Sequence, residues 1–177
     1  MSHTFSLTGI VIKRRNYREA DKWLTVFSSE KGKIDVLARG IRKITSKRSG
    51  QLELFNLVNL QVAEGRRFNV AAEVVLVNSF PKFRRNLKSI SSVYQFCEVI
   101  DALTPEEVRL ENVFGLLLNF LKLAEESDPE TLKGELLGFQ RRLLIELGFW
   151  DGCGDIFVQS FIESIIEKKL RAPGMVS

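Results

Sequence analysis

The chain has 177 residues, 45% of them hydrophobic and 27% charged, a composition that supports one sizeable core or two small adjoining ones and excludes intrinsic disorder. Its densest apolar stretch, 113–124, is broken by Asn119 and Lys122, and the first residues carry no basic region followed by an apolar core, so neither a membrane span nor a signal peptide is expected and a cytoplasmic location is. The net charge of +4 hides an asymmetry: residues 1–85 hold 17 Lys and Arg against seven Asp and Glu, residues 86–177 hold nine against 15.

The first half reads as strands. Residues 7–13 are rich in Ile and Val around Gly9. Residues 23–28 alternate, with Trp23, Thr25 and Phe27 on one face. Residues 33–39 alternate again, with Ile34, Val36 and Ala38 together. Over 52–62, Leu52, Leu54, Val58, Leu60 and Val62 share a face whose single polar member is Asn56. Residues 69–78 give a fifth run. Period-2 patterning predicts half-buried strands, and Lys31-Gly32, Ser49-Gly50 and Glu64-Gly65 punctuate them. Five short strands without a long helix between them fit a small barrel, for which the OB-fold is the commonest five-stranded solution. The pattern alone leaves an SH3-like barrel open.

From Leu87 the apolar period becomes helical, through Ile90, Val93, Tyr94, Cys97, Ile100 and Leu103. Thr104-Pro105-Glu106-Glu107 has the form of a capping box with proline in the first turn, predicting a second, centrally placed helix to about Glu125. Asp128-Pro129 repeats the signal, and Gly148 stops that helix. Asp155 is expected to cap a last helix with Phe157, Phe161, Ile162, Ile165, Ile166 and Leu170 inward. The fold class expected is therefore α+β, strands then helices, with a five-stranded barrel domain over 1–80 and a helical bundle over 81–177.

The basic residues concentrate on the barrel. Lys31, Lys33, Arg39, Arg42, Lys43, Lys47 and Arg48 are opposed in their stretch only by Asp35, and residues 40–50 read as a loop able to follow a phosphate backbone. Lys13, Arg14 and Arg15 add a second cluster. A solvated basic loop is the bland alternative, which two clusters on one barrel disfavour. The acidic second half would repel a polyanion and help confine it. Phe55, on the polar side of its strand, and Trp23 are positioned to stack on bases, although packing in the barrel or against the helices is the commoner fate of both. Two cysteines, Cys97 and Cys153, and His3 do not make the roughly four ligands of a zinc site, and no cofactor is expected. No phosphate-binding glycine loop or nucleophile elbow appears, and Glu19 and Asp21, beside Arg15, Arg18 and Lys22, read as ion-pair partners.

The run 9–21, Gly-Ile-Val-Ile-Lys-Arg-Arg-Asn-Tyr-Arg-Glu-Ala-Asp, resembles the opening of the RecO family of DNA repair proteins. The likeness continues through Thr25-Val26-Phe27, Lys31-Gly32-Lys33, Ala38-Arg39-Gly40-Ile41-Arg42-Lys43 and the strand start at 50–55. It resumes in the late helical stretch 139–149. The resemblance implies an OB-fold followed by a helical domain, without enzymatic turnover. It implies binding of single- and double-stranded DNA, annealing of complementary strands, and help in loading RecA onto strands covered by single-strand-binding protein. It implies RecR as a partner and a nucleoid-associated location. It also implies that Arg14, Arg15, Lys33, Arg39, Arg42 and Lys43 belong to the DNA face, with Tyr17 and Asp21 structural. Lys47, Arg48 and Phe55 complete the DNA-binding candidates. Many relatives carry a four-cysteine zinc ribbon after the late helix, where this chain has only Cys153-Gly154, so no zinc is expected and contacts made through that segment are in doubt. The competing expectations are a general single-strand DNA or RNA-binding module and an interaction adaptor that binds no DNA.

Overall fold

The structure, a computed structural model, describes residues 3–41 and 50–167. Two compact units emerge. One comprises Met1–Ser79 together with Glu106–Phe114, the other Phe80–Pro105 and Gly115–Ser177.

The first unit is a closed barrel of five strands, β1 (Thr4–Tyr17), β2 (Asp21–Ser28), β3 (Gly32–Ala38), β4 (Leu57–Ala63) and β5 (Asn69–Asn78), in the order β1-β2-β3-β5-β4. Every pairing is antiparallel except the short parallel one of β3 with β5, at Val36–Asn69 and Leu37–Val70. This is the OB-fold. β1 is the longest strand because it closes the barrel, pairing through Thr4–Ile10 with β4 and through Gly9–Tyr17 with β2. Alternate residues fill the interior: Leu24 and Val26, Ile34 and Val36, and Val58, Leu60 and Val62 form one core cluster. Each such side chain, fully removed from water, contributes about 1.5–3 kcal/mol.

One irregularity matters for the surface. β1 is bulged between Val11 and Lys13, so that Val11 lies opposite Val26 and Lys13 opposite Thr25. Ile12 is the extra residue, and it resets the alternation. Beyond it Arg14 is opposite the core residue Leu24, and Arg15 opposite Trp23.

The strand expected over 52–62 is shorter than its pattern. β4 begins at Leu57, and residues 52–56 form a tied turn. The Phe55 N–H donates to the Val11 carbonyl at 2.7 Å, and the Val11 N–H to that of Asn56 at 3.1 Å. The buried Asn56 amide donates to the carbonyls of Gly50 (3.0 Å) and Gln51 (2.9 Å). The polar exception in the strand pattern is thus the residue that organises the turn.

The helix start expected at Thr104 is also corrected. Thr104 instead closes helix α1 (Leu87–Leu103), with its hydroxyl donating to the Ile100 carbonyl at 2.6 Å. The residues after Pro105 return to the barrel. The Glu107 N–H donates to the Lys33 carbonyl at 2.8 Å, and Glu106 bridges Lys33 in parallel. Helix α2 (Glu111–Glu126) begins only afterwards.

In the second unit Asn86 caps α1, accepting from the Lys88 and Ser89 N–H groups. Asp128 caps α3 (Pro129–Glu146), accepting from the Glu130 and Thr131 N–H groups, with Pro129 in the first turn. Hydrogen bonds from the Thr131 hydroxyl and then its N–H hold the Asp128 carboxyl below the usual carboxylate range. Gly148, at φ +74°, takes the left-handed conformation that ends α3. The last helix, α4 (Val158–Ile166), has no side-chain cap from Asp155, and Phe157, expected inward, is 89% exposed. The cap position falls two residues later, on Phe157, which has no polar side chain to cap with. Leu170 lies outside the described residues. Phe96, Phe120 and Phe139 meet in the core with ring centroids 4.8–6.0 Å apart. Among the described residues no helix is long and apolar enough to cross a membrane.

Candidate nucleic-acid interface

In barrels of this topology oligonucleotides lie on the outer face of strands 2 and 3, flanked by the loops joining strands 1 and 2 and strands 4 and 5. Here that face begins with the odd-numbered residues after the bulge. Arg15 of β1 is opposite Trp23 of β2, which is opposite Leu37 of β3; Lys13, Thr25 and Asp35 form the next row, and since Leu37, Thr25 and Phe27 are buried the accessible part of this face is the end around Arg15 and Trp23. Trp23 is half-buried and meets two other half-buried rings edge-on. Tyr17, the last residue of β1, lies 5.7 Å away at 64° between the ring planes, and Phe68, immediately before β5, lies 5.4 Å away at 80°. The Arg15 guanidinium sits 5.7 Å from the Trp23 ring centroid, and that of Arg18 5.2 Å from Tyr17.

The charges around this cluster are mostly positive and accessible. Arg15 keeps 62% of its side chain exposed, with a 3.6 Å contact to Asp35. Arg66 and Arg67, in the loop between β4 and β5, are exposed beside Phe68. Arg39 is exposed one residue past β3, whose Ala38 pairs with Lys22 of β2. Each nearby β-strand carboxylate is occupied. Asp35 accepts from the Thr25 hydroxyl at 2.7 Å, and Asp21 accepts from the Gly40 N–H at 2.7 Å, which ties the end of β3 to the start of β2.

The residues singled out in the sequence are distributed unevenly on this frame. Arg15 and Arg39 belong to the Trp23 end of the face. Lys33 is at the other end of β3, paired with Phe27 and flanked by the returning acidic segment at Glu106 and Glu107. Arg14 faces the barrel mouth, donating to the Glu53 carboxylate at 2.7 Å and to the Leu52 carbonyl at 3.3 Å, with 20% of its side chain exposed. It braces the 52–56 turn. Phe55 is 3% exposed, so its ring is inside the protein and unavailable to a base; this corrects its assignment to the DNA face. The reason is the turn, which rotates Phe55 inward at φ +69° where a continuous strand would have turned it out. Arg42, Lys43, Lys47 and Arg48 lie outside the described residues.

Sequence reasoning missed Arg18, Arg66, Arg67 and Phe68. The signal was present in Gly65-Arg66-Arg67-Phe68, two cations and an aromatic in a tight connection immediately before a strand. Among the described residues no cluster of three or more His, Cys, Asp or Glu could hold a metal ion. Cys97 is buried, which pushes its thiol well above the usual range, and Cys153 is exposed; neither is paired.

Comparison with known proteins adds a family. Residues 1–80 match the family model described as Recombination protein O N terminal. The chain is 36% identical over 163 residues to a DNA repair protein RecO of Symbiobacterium thermophilum, covering 88% of this chain and 63% of that protein. It is 34% identical over 128 residues to the RecO of Pelotomaculum thermopropionicum, covering 72% and 50%, and 31% identical over 140 residues to that of Desulforamulus reducens, covering 79% and 54%. The chain therefore spans between half and 63% of the length of these relatives.

Proposed function

Since the chain belongs to the RecO family of DNA repair proteins, we propose that its barrel unit grips single-stranded DNA and that the protein acts as a non-catalytic recombination mediator. In this reading it anneals complementary strands and assists RecA loading in recombinational repair, with RecR and single-strand-binding protein as partners and the nucleoid as its place of work. The observation that carries the reading is the Trp23 end of the outer face of β1–β3, where Arg15 lies by a half-buried aromatic cluster and exposed Arg66 and Arg67 immediately precede Phe68. Arg42, Lys43, Lys47 and Arg48 continue the positive charge in sequence beyond Arg39, and Lys33 adds to it at the far end of β3.

The mechanism is electrostatic. Each phosphate neutralised by a Lys or Arg releases condensed counterions, which drives binding and makes it fall with salt. Two strands held on one positive surface repel each other less, and their encounter becomes local. No proton transfer or covalent step is needed, so the protein works by affinity and not by turnover.

Annealing of complementary oligonucleotides tests the proposal. The protein should accelerate pairing at low salt and lose the effect as salt rises. Pairing no faster than without protein at low salt would overturn the annealing role. Strand binding with no annealing would favour the general single-strand module.

A further inference from the structure

We propose that Tyr17, Trp23 and Phe68 form a base-stacking step that makes this face selective for unpaired nucleobases. The inference rests on the strand-binding reading above and adds the determinant of strand type. Electrostatics alone does not distinguish an unpaired strand from a duplex, since both present phosphates. A partly accessible aromatic ring does, because only unpaired bases offer their faces.

Three observations support it. Trp23 is on the outer wall of the barrel, where the interior core already consists of Leu24, Val26 and Val36. The three rings meet at 64° and 80°, so neither Tyr17 nor Phe68 is stacked face to face on Trp23, and among the described residues the edge contacts hold the tryptophan without a parallel ring. Finally, Arg15 and Arg18 lie over Trp23 and Tyr17. The Arg15 side chain is largely exposed and its 3.6 Å contact with Asp35 is long for an ion pair, so it can leave the ring for a phosphate as a base arrives. A half-buried ring loses less side-chain freedom on binding than a mobile one, which favours a preformed step.

The acidic groups around the cluster, Asp35, Asp21 and Glu19, are outnumbered there by Arg15, Arg18, Arg39, Arg66 and Arg67. Stacking is tolerant of base identity, so the step selects unpaired over paired strands without reading sequence.

The test uses the full chain with Trp150→Phe, which leaves Trp23 as the single tryptophan. Three ligands of equal length, about 16 nucleotides, are compared at one salt concentration: a mixed-sequence single strand, its duplex, and an abasic strand. The single strand should quench Trp23 emission and bind about tenfold or more tightly than the abasic strand, as one or two stacked bases require. Phe68→Ala, and Phe68→Leu as the variant that preserves bulk, should shrink that ratio toward one. Equal affinity for normal and abasic strands, or binding without quenching, would overturn the stacking step while leaving strand binding intact. No binding to any of the three would overturn the strand-binding reading itself, and the inference with it.

Discussion

Arg14 and Arg15 point to opposite sides of the barrel wall because Ile12 is an extra residue in β1. A run of three cations in sequence therefore becomes two outward charges and one brace for the 52–56 turn. Phe55 belongs to the same turn. Its ring is buried and its backbone is left-handed, so Phe55→Ala removes core packing and should cost about 3–5 kcal/mol of unfolding free energy in urea. The folded fraction should still bind single strands with unchanged salt dependence; a loss of affinity without a loss of stability would return Phe55 to the DNA face. The alternation of Leu52, Leu54, Val58, Leu60 and Val62 was legible as a barrel wall, and its inward members are where expected. It misled at Phe55 because a tied turn can bury apolar side chains at strand-like spacing. Only the hydrogen bonds of Asn56, invisible in the pattern, distinguish the two.

At the scale of elements, the strands and the capped helices α1 and α3 follow from local chemistry, but the connection between α1 and α2 does not. Thr104-Pro105-Glu106-Glu107 satisfies the rules for a helix start, yet the Thr104 hydroxyl returns to Ile100 and the chain then docks along β3. Tertiary pairing outweighs a local preference worth about 1 kcal/mol. Gly32 permits this docking. It has φ +66°, and a Cβ there would collide with the Val108 carbonyl oxygen. Gly32→Ala should destabilise the barrel unit by about 1–3 kcal/mol, combining backbone strain with displacement of the docked segment. Hydrogen exchange should show faster exchange of the Glu107 N–H. Stability and protection equal to the wild type would mean that the segment is not held at this point.

Over the whole molecule the governing property is the separation of charge along the chain, positive in the first half and negative in the second. That asymmetry was readable by counting, and it pointed correctly to the barrel as the basic part. Counting did not locate the face, since Arg66 and Arg67 come from a short turn and contribute no run, while Lys33 lies beside Glu106 and Glu107. Closure of the barrel brings residues from β1, β2 and the β4–β5 loop around Trp23, an arrangement set by register and not by sequence distance. The central claim is that this face carries the phosphate contacts, and the salt dependence of single-strand affinity measures it directly. For Arg15→Ala/Arg66→Ala/Arg67→Ala, the slope of log affinity against log salt should become shallower by about 2, since each lost phosphate contact removes about 0.7. An unchanged slope, with affinity equal to the wild type, would contradict the account.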